Sequence, residues 1–258
     1  MRLIFADIET LPMEALVFQA KTKYIPHEQV THGTTLACAA WAIDDGPVES
    51  VSLSRQVLRD DSRNDEALIR RLHKLLMEGA NGDTIFVGQN IDRFDIRKIE
   101  ARCIYYGLDP LPPLQTVDTL KQARKFGFDY YRLDYLDWHL NGKGKVHHRG
   151  FPMWRDIATH RSGPDVKYSA LKEMTHYCEG DIECLRRVFK KLRPYFKQFP
   201  NQAIGTGERC PRCGSKCFRG NESWYRDTKT GRYPRYKCTD CKAWFTGTSR
   251  IARALVAA

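Results

Sequence analysis

No stretch of this chain is apolar for long enough to cross a bilayer, and its first residues carry no signal-peptide core, so a cytoplasmic protein without a membrane partner is expected. Internal repeats and low-complexity tracts are missing as well, which excludes solenoid folds. Acid is in short supply: 31 Asp and Glu stand against 42 Lys and Arg, a formal net charge of +11. Nine cysteines, an odd number without an export signal, argue against a disulfide scaffold and for thiols and metal ligands. What remains is ordinary globular material, 258 residues with 42% hydrophobic content, enough for one large domain and a small one. The positive charge is unevenly spread. Residues 206–258 hold 12 basic and 4 acidic residues, and the other 205 hold 30 and 27. A basic C-terminal module on a nearly balanced body implies a polyanionic partner.

Arg2 to Ala6 reads as a short buried strand, and residues 11–33, punctuated by Pro12, Pro26 and Gly33, read as a loop. Thr34–Ile43 and Val48–Leu53, joined by Asp44-Asp45-Gly46-Pro47, continue the first strand as an antiparallel meander. Leu68, Leu72, Leu75 and Leu76 recur at helix period over 64–79, with Gly79 as the stop. A buried strand follows at Thr84–Gly88, then a helix at 96–107 and a short strand ending at Val117. The chain then turns helical, with segments at 118–125, 133–140, 154–159 and about 169–193. Three strands, helix, strand, helix, strand is the order of a ribonuclease H-like mixed α/β sheet flanked by helices. Domain boundaries are expected at 1–197, a linker at 198–208, and a small domain at 209–258.

The stretch that organises the rest is Phe5-Ala6-Asp7-Ile8-Glu9-Thr10. At strand period Asp7 and Glu9 point to one side, where two carboxylates raise each other's pKa unless a cation lies between them. The strand at 84–88 leads into Gln89-Asn90-Ile91-Asp92-Arg93-Phe94-Asp95, at the strand-to-helix junction where α/β sheets place their sites. Asp95 is preferred over Asp92 because Phe94 can anchor it against the core. In the long helix Tyr177 and Asp181 are four apart and share a face.

Asp7-x-Glu9, Asn90…Phe94-Asp95 and Tyr177-x-x-x-Asp181, in that order, resemble the DEDD superfamily of 3′–5′ exonucleases. The tyrosine spacing is similar to the DEDDy branch, which includes polymerase proofreading domains. Asp118-Thr119-Leu120, Arg132–Leu136 and Leu192-Arg193-Pro194 look like segments of stand-alone bacterial and phage members, for which a phage protein's compartment would be the host cytoplasm. The resemblance covers about residues 2–195. His176 also stands at the DEDDh spacing from Asp181; neighbours on a helix diverge by about 100°, and Tyr-Cys-x-x-Asp followed by Ile182 and Leu185 favours Tyr177.

The resemblance implies two Mg²⁺ or Mn²⁺ ions on Asp7, Glu9, Asp95 and Asp181, the hard oxygen donors such ions take. Asp7 would bridge both ions, Glu9 and Asp181 would hold the one that binds water, and Asp95 would support the second. Tyr177 would orient the attacking water. Thr10, Asn90 and Phe94 would meet the terminal nucleotide, although Phe94 also suits the core. The product would be a 5′-nucleoside monophosphate cut from a 3′ end, with single-stranded DNA the expected partner. Gly142 to Gly150 is a basic loop, read either as solvated or as a phosphate-tracking arm through Lys143 and Lys145.

Cys210-x-x-Cys213 and Cys238-x-x-Cys241 are two knuckles 24 residues apart, the pattern of a structural zinc ribbon with one Zn²⁺. The rival, a redox pair, fits one motif and not two. Between and beyond the knuckles run Trp224-Tyr225-Arg226, Arg232-Tyr233-Pro234-Arg235-Tyr236-Lys237 and Trp244-Phe245. Such alternation either builds a small core or grips nucleic acid. A replication or repair protein is a further partner this module admits. The expected function is a DNA-directed exonuclease. An exoribonuclease of the same fold, a catalytically inactive nucleic-acid adaptor and a strand-transfer enzyme are the rivals.

Overall fold

The computed structural model describes residues 2–251 except 61–62, 81–82, 160, 197–198 and 204–207. It divides into two compact units, residues 1–188 and 189–258. Of the linker expected at 198–208, residues 198 and 204–207 lie outside the described residues. Among those described, no helix is long and apolar enough to cross a membrane.

The first unit is built on a five-stranded mixed sheet. Its strands are β1 (Arg2–Leu11), β4 (Thr35–Ile43), β5 (Val48–Ser52), β6 (Thr84–Gly88) and β7 (Thr116–Asp118), in the order β5-β4-β1-β6-β7. β1, β4 and β5 form the expected antiparallel meander, and β1, β6 and β7 run parallel. β6 is buried throughout, as a strand covered on both faces must be. The core lies between the sheet and helices α2 (Glu66–Gly79) and α3 (Asp95–Tyr105). Ile4, Trp41 and Phe86 from the strands meet Leu72, Leu76 and Ile99 from the helices there. Truncating Phe86 would cost about 3–5 kcal/mol, the usual loss for a buried phenylalanine.

Three features of the sheet prepare a site. β1 pairs with β6 only as far as Phe5↔Val87, so Asp7 and Glu9 lie beyond the paired segment, where the parallel strands part. A register shift between Glu9 and Thr10 interrupts the β1–β4 ladder, and a bulge at that place re-aims side chains. Gly88 ends β6 where a Cβ would come within 2.7 Å of Ile91 and 3.1 Å of the Ala6 carbonyl, so only glycine permits this crossing.

Several local expectations need correcting. Residues 11–33 are not all loop: β2 (Glu14–Ala15) pairs with β3 (Val30–His32), and a 3₁₀ turn spans His27–Gln29. A short helix, α1 (Arg55–Asp60), follows β5. Helices α4 (Thr119–Ala123) and α5 (Leu133–Asn141) lie close to expectation, whereas α6 (Phe151–Ala158) and α7 (Pro164–Leu192) begin earlier. Both early starts carry a proline in the first turn, Pro152 and Pro164, where its missing N–H costs nothing.

The second unit contains a three-stranded antiparallel sheet, β10-β9-β8, from Phe218–Thr228 (β8), Gly231–Cys238 (β9) and Trp244–Thr246 (β10). Phe189, Phe196 and Phe199 stack together at its start, with ring centroids 5.7 and 5.9 Å apart along the series. Arg193 bonds the Arg212 carbonyl at 2.6 Å, which ties this segment to the first cysteine knuckle.

Candidate functional site

Three elements deliver four carboxylates to the mouth of the sheet. β1 supplies Asp7 and Glu9, α7 supplies Asp181, and the first residue of α3 is Asp95. One carboxylate oxygen from each of Asp7, Glu9 and Asp181 lies within 4.8 Å of the others. Asp95 stands outside that trio but next to it. Its Oδ1 accepts the Ile8 N–H at 3.2 Å, and its charge acts on Asp7. Asp92, the competing acid, instead binds Lys121 at 2.6 Å. Phe94 does not anchor Asp95 in the core as expected. It is 36% exposed and lines a groove with Thr10, Pro12, Lys98, Phe151 and Trp154. Burial of Asp95 comes from its own place at the start of α3 and from the Ile8 bond.

α7 turns its apolar seam inward through Leu171, Met174, Cys178, Ile182 and Leu185, a spacing of three and four residues. Asp181 lies in that seam at 2% exposure, with its Oδ1 buried and without a hydrogen-bond partner among the described residues. Tyr177, one turn earlier, faces the acids, and its hydroxyl shares the Lys145 ammonium with Asp181. The His176 side chain is 73% exposed and sits 3.8 Å from Glu179, away from the acids.

The electrostatics are strained in a definite direction. Burial, reinforced by Asp95, Asp181 and Glu9, holds the Asp7 carboxyl well above its usual range. Burial and Asp181 push Glu9 up to about 7, and burial with Asp118 brings Asp95 to about 7. Burial also raises Asp181, against the pull of Lys145. At an effective dielectric near 20, two unit charges 4 Å apart repel by about 4 kcal/mol, so this cluster does not hold four ionised acids unaided.

One cation is already there. Lys145 Nζ lies 2.5 Å from Asp181 Oδ2 and 2.9 Å from the Tyr177 hydroxyl. The 142–150 loop is therefore anchored at several points, while Lys143 and His147 stay exposed. The Gly144 N–H donates to Asp137 Oδ2 at 3.0 Å, and Arg187 pairs the same carboxylate at 2.5 Å. Val146 fills the notch left by Gly180, where a Cβ would come within 2.5 Å of it. The His148 and Tyr177 rings meet edge to face at 4.5 Å, and Arg149 binds Glu173 and Asp156. Lys143 is exposed and takes no part.

Asp118, noted in the sequence only as part of a resembling segment, has a role in the site turn that was not assigned there. Its Oδ1 caps α4 by accepting the Leu120 and Lys121 N–H groups, and it also accepts the Asn90 N–H at 3.0 Å. Asn90 has φ +68°, a left-handed conformation that asparagine tolerates, so Asp118 steadies the turn that carries Asn90 to Asp95. A cap before Thr119 was the available signal. Cys178, buried in the α7 seam, brings its Sγ to 3.6 Å from Asp7 Oδ2.

In the second unit the four knuckle sulfurs converge. Cys210 and Cys241 lie 3.6 Å apart, as do Cys213 and Cys238, and all four fall within 4.8 Å. Metal–sulfur bonds of about 2.3 Å in a tetrahedron give edges of about 3.8 Å, so the cluster fits a structural zinc. Gly214 and Lys242, each following the second cysteine of its knuckle, are both left-handed at φ +71° and +64°. Cys217 is exposed and lies outside the cluster.

No protein-family model matches the chain, and no curated protein does. Among solved structures it resembles the family B DNA polymerase from the hyperthermophilic archaeon Pyrobaculum calidifontis. The TM-score is 0.52 at 17% identity, over 75% of this chain and 25% of the polymerase. The likeness is one of fold. The chain spans about a quarter of that polymerase's length.

Proposed function

We propose that this chain is a two-metal-ion 3′–5′ exonuclease acting on DNA, comparable to the proofreading part of such a polymerase. The observation that carries the reading is the Asp7–Glu9–Asp181 trio within 4.8 Å, with Asp95 beside it and a buried Asp181 oxygen without a partner. One ammonium against four carboxylates leaves three formal negative charges, which a pair of divalent ions would offset. Hard carboxylate oxygens suit Mg²⁺ or Mn²⁺. Such a pair supplies a nucleophile from water and stabilises the leaving oxygen at phosphorus.

The remaining work falls to side chains. Asp7, Glu9 and Asp181 would hold the ions, and Asp95 keeps β1 in place through the Ile8 N–H while adding charge. Tyr177 orients the water as a hydrogen-bond partner. Burial and Asp181 hold its phenol above the usual value, so it stays protonated at neutral pH. Thr10 and Phe94 line the groove for the terminal nucleotide, next to the turn that carries Asn90. Lys145, which bonds Asp181 and the Tyr177 hydroxyl, would be available to a substrate phosphate once the carboxylates were engaged by ions.

The test is a digestion panel with end-labelled single- and double-stranded DNA and RNA, each with Mg²⁺, Mn²⁺ or chelator. Mononucleotide release from single-stranded DNA, abolished by chelator, is expected. Preference for RNA would move the assignment to an exoribonuclease. Binding without cleavage in any metal would leave an adaptor.

A further inference from the structure

The strands of the second unit sort their aromatic residues by face. On one side Phe218, Tyr236 and Phe245 pack together, with ring centroids 4.9 to 5.5 Å apart. Gly220 and Gly247 make room for Tyr236, since a Cβ at either would come within 2.9 and 2.8 Å of its ring. These aromatics are the module's small core. The other side follows from register: Lys237 stands opposite both Arg219 and Trp244, and Arg235 is two residues before Lys237 on the same strand. Trp224 meets Trp244 edge to face at 4.7 Å, and Trp244 remains 43% exposed. Arg235 and Lys237 each reach within 5.7 Å of the Trp244 ring centre, the long end of a cation–π contact, and leave the indole part-exposed. None of Arg219, Arg235 and Lys237 pairs with a carboxylate among the described residues.

We infer that this face is a binding site for single-stranded nucleic acid, with Trp244 stacking on a base and the three cations meeting its phosphates. An exposed indole at the sheet edge, with cations on the two strands beside it, can stack on a base while those cations meet the phosphates of the same strand, and stacking needs the free base faces that a duplex hides. An acidic protein would engage the cations but has no use for an open indole among them. The substrate role of the bound strand rests on the exonuclease reading; the binding does not.

The experiment uses the full chain and 5′-fluorescein 20-mers of thymidylate and uridylate, followed by anisotropy without added divalent ion so that cleavage plays no part. Trp244→Ala should weaken binding roughly 5- to 150-fold, the range for loss of one stacked base, and Trp244→Phe should recover most of it. Arg235→Gln with Lys237→Gln should make the salt dependence shallower by about 1.4 in log–log slope, as two lost phosphate contacts require on a single strand. Equal losses on both oligomers indicate recognition without regard to the sugar; loss on one names it. Unchanged affinity and slope in the Gln pair, or equal weakening on a blunt duplex, would overturn the inference. Hydrolysis of a dinucleotide, too short to span a second site, is measured in parallel with Mg²⁺. Its absence would count against the exonuclease while leaving the binding result standing.

Discussion

The chain builds two candidate metal sites by opposite means. The cysteine cluster comes from two knuckles of the same local geometry, each closed by a left-handed residue and each folding within a few positions. The acid cluster draws on β1, α3 and α7, up to 174 residues apart between Asp7 and Asp181, and its members repel one another. A thiolate tetrahedron rewards its own assembly, because a small module has little else to hold it. A carboxylate cluster works against folding until cations arrive, so the surrounding sheet and helices must hold it in place. A thiolate cluster of the first kind suits a structural metal; an acid cluster of the second kind stores unfavourable charge that a bound cation would relieve.

Breaking the acid site should give the largest change in activity. Asp7→Ala and Asp181→Ala are each expected to lower nucleotide release by at least about a thousandfold, the scale of losing a principal electrostatic stabiliser. Asp7→Asn should leave the metal-free melting temperature unchanged or higher, because it removes a buried acid that three neighbours oppose. Retained activity, or a large loss of stability, would refute the contrast. Within the same series Tyr177→Phe should cost about tenfold and His176→Ala less than twofold, since only the tyrosine faces the acids.

Breaking the cysteine site should do the reverse. Cys210→Ser, or removal of zinc alone with Mg²⁺ kept in excess, should unfold the 208–251 module while release from a dinucleotide continues, read by circular dichroism and turnover together. Activity lost in step with the module would show that the two sites are not independent.

A smaller effect sharpens the comparison by pH. Glu9 and Asp95 keep their protons to about 7 when folded, whereas the unfolded chain releases them near 4. Folding therefore takes up protons between those values, and stability falls as pH rises through 7, by up to about 1.4 kcal/mol per unit for each group. Without divalent ions the melting temperature should drop between pH 5.5 and 8, less so in Glu9→Gln, and Mn²⁺ should flatten the drop. A rise over that range would contradict the sign.

Much of this was legible because the signals are local. Period two puts Asp7 with Glu9, a helical turn puts Tyr177 with Asp181, and paired knuckles announce their own geometry. Lys145 was not legible as a partner of Asp181, since 36 residues separate them and only the path of the loop over α7 joins them. Phe94 misled because it sits one position before α3, where helical spacing no longer tells which way a side chain turns. Asp118 was hidden behind an ordinary capping role that also serves a second strand-to-helix turn.

Gly180 carries no charge and binds nothing, yet it offers a handle on the acids. A single methyl added there would meet Val146 at 2.5 Å and lift the backbone that bears Lys145. The ammonium could in this way be drawn off its carboxylate with every polar group intact, turning a neutral packing contact into a dial for how readily the pocket admits cations.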